Sequence, residues 1–139
     1  MTDAGYSGTP LGKKLGYREG MRVFVDGMPE PIRHAIEKSI DARPDWQLVP
    51  GPDLEAAHIF VTARAGLEAK IQTLLPLLKP SGAIWVSWPK KAAKIPTDIT
   101  EDTIREVVLP MGLVDVKVCA VDATWSAVKL MIRKELRAL

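Results

Sequence analysis

The residues best suited to chemistry gather where an apolar run ends: "VSWPKKAAK", Val86 to Lys94, sets a tryptophan, a proline and three lysines where a buried strand meets water. An indole face stacks on planar groups and ammonium groups neutralise anions, so Trp88, Lys90 and Lys91 suit a small anionic or nucleotide-like ligand. Three further sets are candidates for the same task. "DATWS" offers Asp122, Thr124, Trp125 and Ser126 between two alternating runs; "DGMPEP" offers Asp26, Gly27 and Glu30; and Arg64 follows the apolar "HIFVTA". Arg64 is suited to clamp an anion through two donors, and Gly27 to let the backbone come close. The plain alternative for the lysines is a solvated run, with Trp85 and Trp88 packed under loops.

These sets act together only if the elements carrying them end at one edge. "MRVFVDG" has the β-branched and aromatic centre of a buried strand, cut off at Asp26 and Gly27. From Pro29 to about Ala42 the period becomes helical, with Ile32, Ala35, Ile36 and Ile40 on one face. "WQLVP" predicts a brief second strand, and after the turn-rich "GPDLEAA" the run "HIFVTA" predicts a third, apolar on both faces and central. "GLEAKIQTLLPLLK" predicts a helix with Leu67, Ile71, Leu74, Leu75 and Leu78 inward and a disturbance at Pro76. "AIWVSW" is the fourth strand, and Thr100 caps a helix running to about Met111, closed by Gly112.

The last third alternates with period two. "LVDVKVCAVD" sets Val114, Val116, Val118 and Ala120 against Asp115, Lys117 and Cys119, and "WSAVKLMIRK" sets Val128, Leu130 and Ile132 against Lys129, Met131 and Arg133. The gap between them is hairpin length. The whole predicts an α/β domain over residues 1–139: an open, mostly parallel Rossmann-like sheet with helices on both faces, ending in an antiparallel hairpin. Ahead of it, "TPLGKKLG" predicts a short helix capped by Thr9, with Pro10 in its first turn and Gly16 at its end. Residues 1–8 are expected to lie loosely. The segment "YSGTPLGKK" serves equally well as a lid over the carboxyl rim or as a helix covering the sheet.

Other chemistries find less support. His34 and His58 are far apart, with no Cys or carboxylate at ligand spacing, which argues against a metal site. Cys119 lies mid-strand as a structural thiol, and Ser7 and Ser126 lack the glycines of a nucleophile elbow. Asp98, Glu101 and Asp102 suit a helix start. A formal charge of +2 does not indicate nucleic acid, a lone cysteine rules out an internal disulfide, and no run is long enough to span a bilayer. With no apolar leader at the start, the expected location is the cytoplasm.

The order of elements, with "MRVFVDG" before a helix and "LLPLLKPSGAIWVSWP" as helix, turn and strand, resembles the S-adenosylmethionine-dependent methyltransferases, in reduced form. That resemblance implies cofactor binding through a glycine-rich loop after the first strand. Here the loop is "DGMPEP", whose two prolines donate no N–H, so S-adenosylmethionine is a possible but disfavoured cofactor. Only Asp53 or Glu55 is available as a ribose contact. "GYSGTPLGKKLG", "WVSWPKKAAKIPTDITEDTIRE" and "GLVDVKVCAVDATWSAVKL" also resemble a bacterial family, domain of unknown function 3052, which implies no substrate or catalytic residue. The expectation is a domain, leaning away from enzymatic activity, that binds a small anionic ligand or an acidic partner surface. Its site residues are Asp26, Gly27, Glu30, Arg64, Trp88, Lys90, Lys91, Trp125 and Ser126. The alternatives are a divergent methyltransferase and a structural or partner-binding module.

Overall fold

The computed structural model describes residues 8–137. Of the loose start expected over residues 1–8, all but Gly8 lies outside the described residues, as do Tyr6 and Ser7. The strands are β1 (Arg22–Asp26), β2 (Asp45–Gln47), β3 (Leu54–Phe60), β4 (Leu78–Pro89), β5 (Leu113–Ala120) and β6 (Trp125–Ile132). The helices are α1 (Leu11–Lys14), α2 (Glu30–Ile40), α3 (Leu67–Leu74) and α4 (Glu101–Val108). They build a six-stranded sheet in the order β2-β1-β3-β4-β6-β5. The first four strands are parallel, β6 runs against β4, and β5 runs against β6. This is the open α/β sheet with a closing hairpin that the alternation of periods predicts.

Two apolar layers sandwich the sheet. Leu67, Ile71 and Leu74 of α3 and Ile104 and Val108 of α4 pack with Ile59, Ile84, Val86, Val128 and Leu130 on one face. Leu15, just after α1, and Ile32 and Ile36 of α2 pack with Val23, Val25, Phe60 and Trp85 on the other. Side chains two apart on a strand share a face, which is why Trp85 and Val86 belong to opposite layers. Trp85 is fully buried and donates its indole N–H to the Leu15 carbonyl at 3.0 Å. Gly12 lets α1 lie against α2: a Cβ there would stand 2.8 Å from Ile40 Cγ2 and 3.0 Å from the Ile36 carbonyl.

Several local expectations are corrected. Pro10, not Thr9, is the N-cap of α1, with no side-chain cap. β3 begins at Leu54, because Leu54, Ala56 and Ala57 are buried and the "turn-rich" segment supplies its first half. β2 stops at Gln47, leaving Leu48 79% and Val49 74% exposed beyond the edge strand's short pairing. α3 ends at Leu74, so Leu75 and Leu78 lie beyond the helix, while the disturbance expected at Pro76 is present as a tight turn. Leu78 already pairs with Leu54 in β4, and residues 79–82 bulge before Ala83 meets Ala56. Val116 and Val118 are 52% and 45% exposed rather than inward, because β5 is an edge strand and its register shifts between Asp115 and Lys117. Thr100 does cap α4, accepting the Thr103 N–H at 3.1 Å.

Candidate functional site

Parallel β1, β3 and β4 deliver their carboxyl ends to one rim, and β5, parallel to β4, brings its turn into β6 to the same rim. The backbone N–H of Lys90 donates to the Thr124 carbonyl at 2.7 Å, and Pro89 pairs with Trp125 in register. The end of β4 and the hairpin turn are thus stitched together. Strand order reverses between β1 and β3: α2 leads from β1 to one side and α3 from β3 to the other, on opposite faces. Such a switch point opens a crevice at the carboxyl ends.

The rim has three stations. At the β1 end, Asp26 Oδ2 pairs with Lys70 Nζ at 2.9 Å, bridging β1 to α3 across the switch point. Gly27 follows at φ 75°, a left-handed conformation that favours glycine, and a Cβ there would make only ordinary contact with Phe60. Glu30 is exposed in the first turn of α2, beside Arg33 at 3.4 Å and His34 at 4.0 Å. Its carboxylate faces the helix dipole's positive end, where a ligand's anion would otherwise sit.

At the β4–β6 corner stand Trp88, Lys90, Lys91, Trp125 and Ser126. Lys91 is exposed at the start of a 3₁₀ turn, Lys91–Ala93. Trp125 meets Phe60 edge to face, with centroids 5.0 Å apart, on the α1/α2 side of the sheet. Trp88 is half-buried on the α3/α4 side. The two indoles therefore flank the sheet rather than face one another, and no single planar group fits between them. The turn itself is held by Asp122, whose Oδ1 accepts the Thr124 and Trp125 N–H groups at 2.8 Å each. Beside this corner, Pro10, Leu11, Pro31, Ile32 and Val121 line a largely apolar cavity of about 460 Å³ between α1, α2 and the hairpin turn.

Arg64 lies at the third station, in a groove between α3 and α4. Its guanidinium pairs with Glu106 at 2.7 Å, and its backbone N–H donates to Asp98 at 2.7 Å. Asp53 and Glu55 are not on this rim. They sit at the start of β3, the opposite edge, where Glu55 pairs with Arg18 at 2.6 Å and accepts the Arg22 N–H. That backbone hydrogen bond, with Arg18, holds the Glu55 carboxyl below its ordinary range.

Sequence reasoning missed a buried polar chain. His58 Nδ1 lies 2.9 Å from the Tyr17 hydroxyl and Nε2 lies 2.7 Å from the Ser87 hydroxyl. His58 and Ser87 are fully buried, and burial pushes the imidazole pKa from 6.5 down to about 3. Burial likewise pushes the Tyr17 phenol well up. A neutral ring donates from one nitrogen and accepts at the other, so the chain pairs both hydroxyls with no charge. Sealed from solvent, it ties the loop after α1 to β3 and β4. The only signal in the sequence was a lone polar residue inside the otherwise apolar "HIFV". Among the described residues, no group of three or more His, Cys, Asp or Glu is placed to hold a metal, and no helix is long and apolar enough to cross a membrane.

No protein-family model matches the sequence, and no curated protein does either. Solved structures do resemble the fold. An S-adenosylmethionine-dependent methyltransferase from Aquifex aeolicus superposes with a TM-score of 0.60 at 15% identity, over 86% of each chain. A TehB-like methyltransferase from Corynebacterium glutamicum gives 0.54 at 10% identity, over 94% of this chain and 91% of that one. The O-methyltransferase NcsB1 of neocarzinostatin biosynthesis gives 0.63 at 11%, over 93% of this chain and 51% of its own. The chain therefore has a methyltransferase-like Rossmann fold.

Proposed function

We propose that this domain binds a small anionic or nucleotide-like ligand at the carboxyl rim of its sheet, without catalysing a reaction on it. One observation carries the proposal: the backbone of Lys90 is tied to the hairpin turn, and Val121 and Asp122 at the start of that turn line a cavity whose size suits a small ligand. In this reading Lys90 and Lys91 neutralise the anion, Trp125 supplies an apolar face, Ser126 offers a hydroxyl on the opposite side of the sheet, beside Trp88, and Gly27 gives backbone access. Trp88 covers the corner from the other face, and Arg64 gives way from Glu106 to reach a longer ligand. Asp26 and Glu30 bound the site on the β1 side and set its preference for a ligand with a donor at that end. Membership of the bacterial domain of unknown function 3052 family belongs to this reading and adds no substrate.

The fold comparisons favour a second reading, a divergent S-adenosylmethionine-dependent methyltransferase, since the likeness runs over nearly the whole chain. The rim fits that cofactor poorly. Pro29 and Pro31 remove N–H groups from the loop, Glu30 would face the cofactor's carboxylate, Asp26 is engaged by Lys70, and both acids once available for a ribose lie at the far edge. A shared fold does not transmit an activity.

Thermal melts with phosphate, nucleotides, S-adenosylmethionine and an ionic-strength control separate the readings. The proposal expects anion-dependent stabilisation that Lys90→Ala with Lys91→Ala removes. Micromolar binding of S-adenosylmethionine lost on Asp26→Ala would favour the methyltransferase. A wild type stabilised by no anion beyond the control would leave an acidic protein surface as the partner of the lysines.

A further inference from the structure

The open end of the α1/α2 face carries a second basic cluster, made of lysines other than Lys90 and Lys91. Lys117 of β5 and Lys129 of β6 are register partners on one face, an arrangement of like charges that costs stability. The Lys117 ammonium reaches over to the Lys14 carbonyl at 3.1 Å, and the Lys14 ammonium donates to the Ala120 carbonyl at 3.0 Å. These two bonds pin α1 to the edge strand and fix two cations at the crossing. Lys13, Lys14 and Lys117, with Thr9, Val118 and Cys119, line a cavity of about 560 Å³ there.

No acid answers this charge among the described residues. Asp115, the acid of β5, turns to the opposite face and pairs with Arg105 at 2.9 Å. Asp122 lines the neighbouring apolar cavity, with one carboxylate oxygen committed to the hairpin turn. Cys119 is half-buried, and burial outweighs Lys14 and Lys117 to keep its thiol pKa above the ordinary value. The thiol is therefore a wall of the cavity and not a nucleophile.

We infer that Lys13, Lys14 and Lys117, with the charge of Lys129 beside Lys117 in register, form a binding site for a phosphate-bearing small molecule, at the crossing of α1 with the β5–β6 hairpin. Ammonium groups with several free donors match phosphoryl oxygens, and two of these cations are held in place before the ligand arrives. The concavity is of ligand size, while the cluster is confined to one corner. A nucleic acid would need a longer basic stripe along the surface. Thr9 and Lys14 also line the neighbouring cavity, but the pairs Lys117 with Lys129 and Lys90 with Lys91 have no residue in common and can be substituted separately.

Titration calorimetry of the full chain with inorganic pyrophosphate, at constant ionic strength, tests the inference. Binding is expected in the wild type, and Lys117→Gln with Lys129→Gln should weaken it at least about tenfold. Lys129→Gln alone keeps the Lys117 bond to the Lys14 carbonyl and should melt no lower than the wild type without ligand, because it relieves a cross-strand pair of like charges. In the Lys90→Ala, Lys91→Ala background, which lacks the rim pair, pyrophosphate binding should persist and should be lost on adding Lys117→Gln with Lys129→Gln. Three results would overturn the inference: no pyrophosphate binding by the wild type, loss of binding in the rim variant but not the hairpin variant, or tight binding of duplex DNA with none of pyrophosphate. The second would favour the rim proposal alone; failure of the rim variant to alter nucleotide-dependent melting would count against the rim and leave this site standing.

Discussion

Under α3 and α4 the sheet is filled by apolar side chains, whereas under α1 and α2 it holds an imidazole, a phenol, a serine hydroxyl and an indole N–H. Both layers are buried, but they respond to change differently. An aliphatic layer loses stability by the volume removed, while a polar chain loses it by the partners left unpaired. The polar layer has its reason in the chain path: α1 is only four residues long, and its packing on the sheet is secured by the Trp85 N–H on Leu15 and by the Tyr17 hydroxyl on His58.

The contrast is sharpest at His58. His58→Leu keeps the volume but strands the Tyr17 and Ser87 hydroxyls, and urea unfolding should register a loss of about 3–5 kcal/mol. On the aliphatic face Ile71→Val should cost about 0.5–1.5 kcal/mol. Equal costs at the two sites would erase the distinction between the layers.

The same residue makes the polar layer sensitive to pH. In the unfolded chain the ring takes a proton near pH 6.5, and in the folded chain only near 3. Between those values the unfolded state binds more protons, so the contribution is complete above pH 6.5 and is lost as pH falls toward 3. The slope is about 1.4 kcal/mol per pH unit from this one group. Unfolding free energies at pH 7 and pH 5 should therefore differ more in the wild type than in His58→Leu; parallel curves would mean that the ring is accessible to protons in the native state.

Two smaller effects probe how the layers meet the helices. Gly12→Ala drives a methyl into Ile40 and the Ile36 carbonyl and should cost about 1–3 kcal/mol, lifting α1 and loosening the polar chain with it. Thr100→Ala removes the cap of α4 on the aliphatic side and should cost about 1 kcal/mol. Amide hydrogen exchange should localise the first change to α1 and α2 and the second to α4. Exchange that spreads across both faces in either variant would show the layers to be one cooperative unit.

Much of this architecture was legible in the sequence, because period carries the information. Val23 to Val25, Ala83 to Trp88 and the Leu130 run announce strands, Ile32 with Ile36 announces a helix face, and the short gap after Asp122 announces the hairpin that shares the rim with Lys90. Element ends were less legible. Leu54 begins a strand inside a turn-rich segment since pairing with Leu78 overrides local propensity, and Val116 and Val118 are exposed since edge position and a bulge override alternation. The site was legible by edge but not by face. Trp88 and Trp125 both reach the rim, yet they pack in different layers, and the pairing of Arg64 with Glu106 joins residues far apart in sequence. His58 and Ser87 come from two strands and Tyr17 from the loop after α1, and no spacing rule links them.

The central claim is that the stitched corner of the rim is a binding site and not merely a solvated edge. Thermal melting of wild type and Lys90→Ala with Lys91→Ala, each titrated with nucleotide at fixed ionic strength, tests it most directly. The account predicts, relative to each protein's own melting temperature without ligand, a concentration-dependent rise only in the wild type. A double variant that rises with nucleotide as the wild type does, or a wild type that does not rise at all, would contradict it.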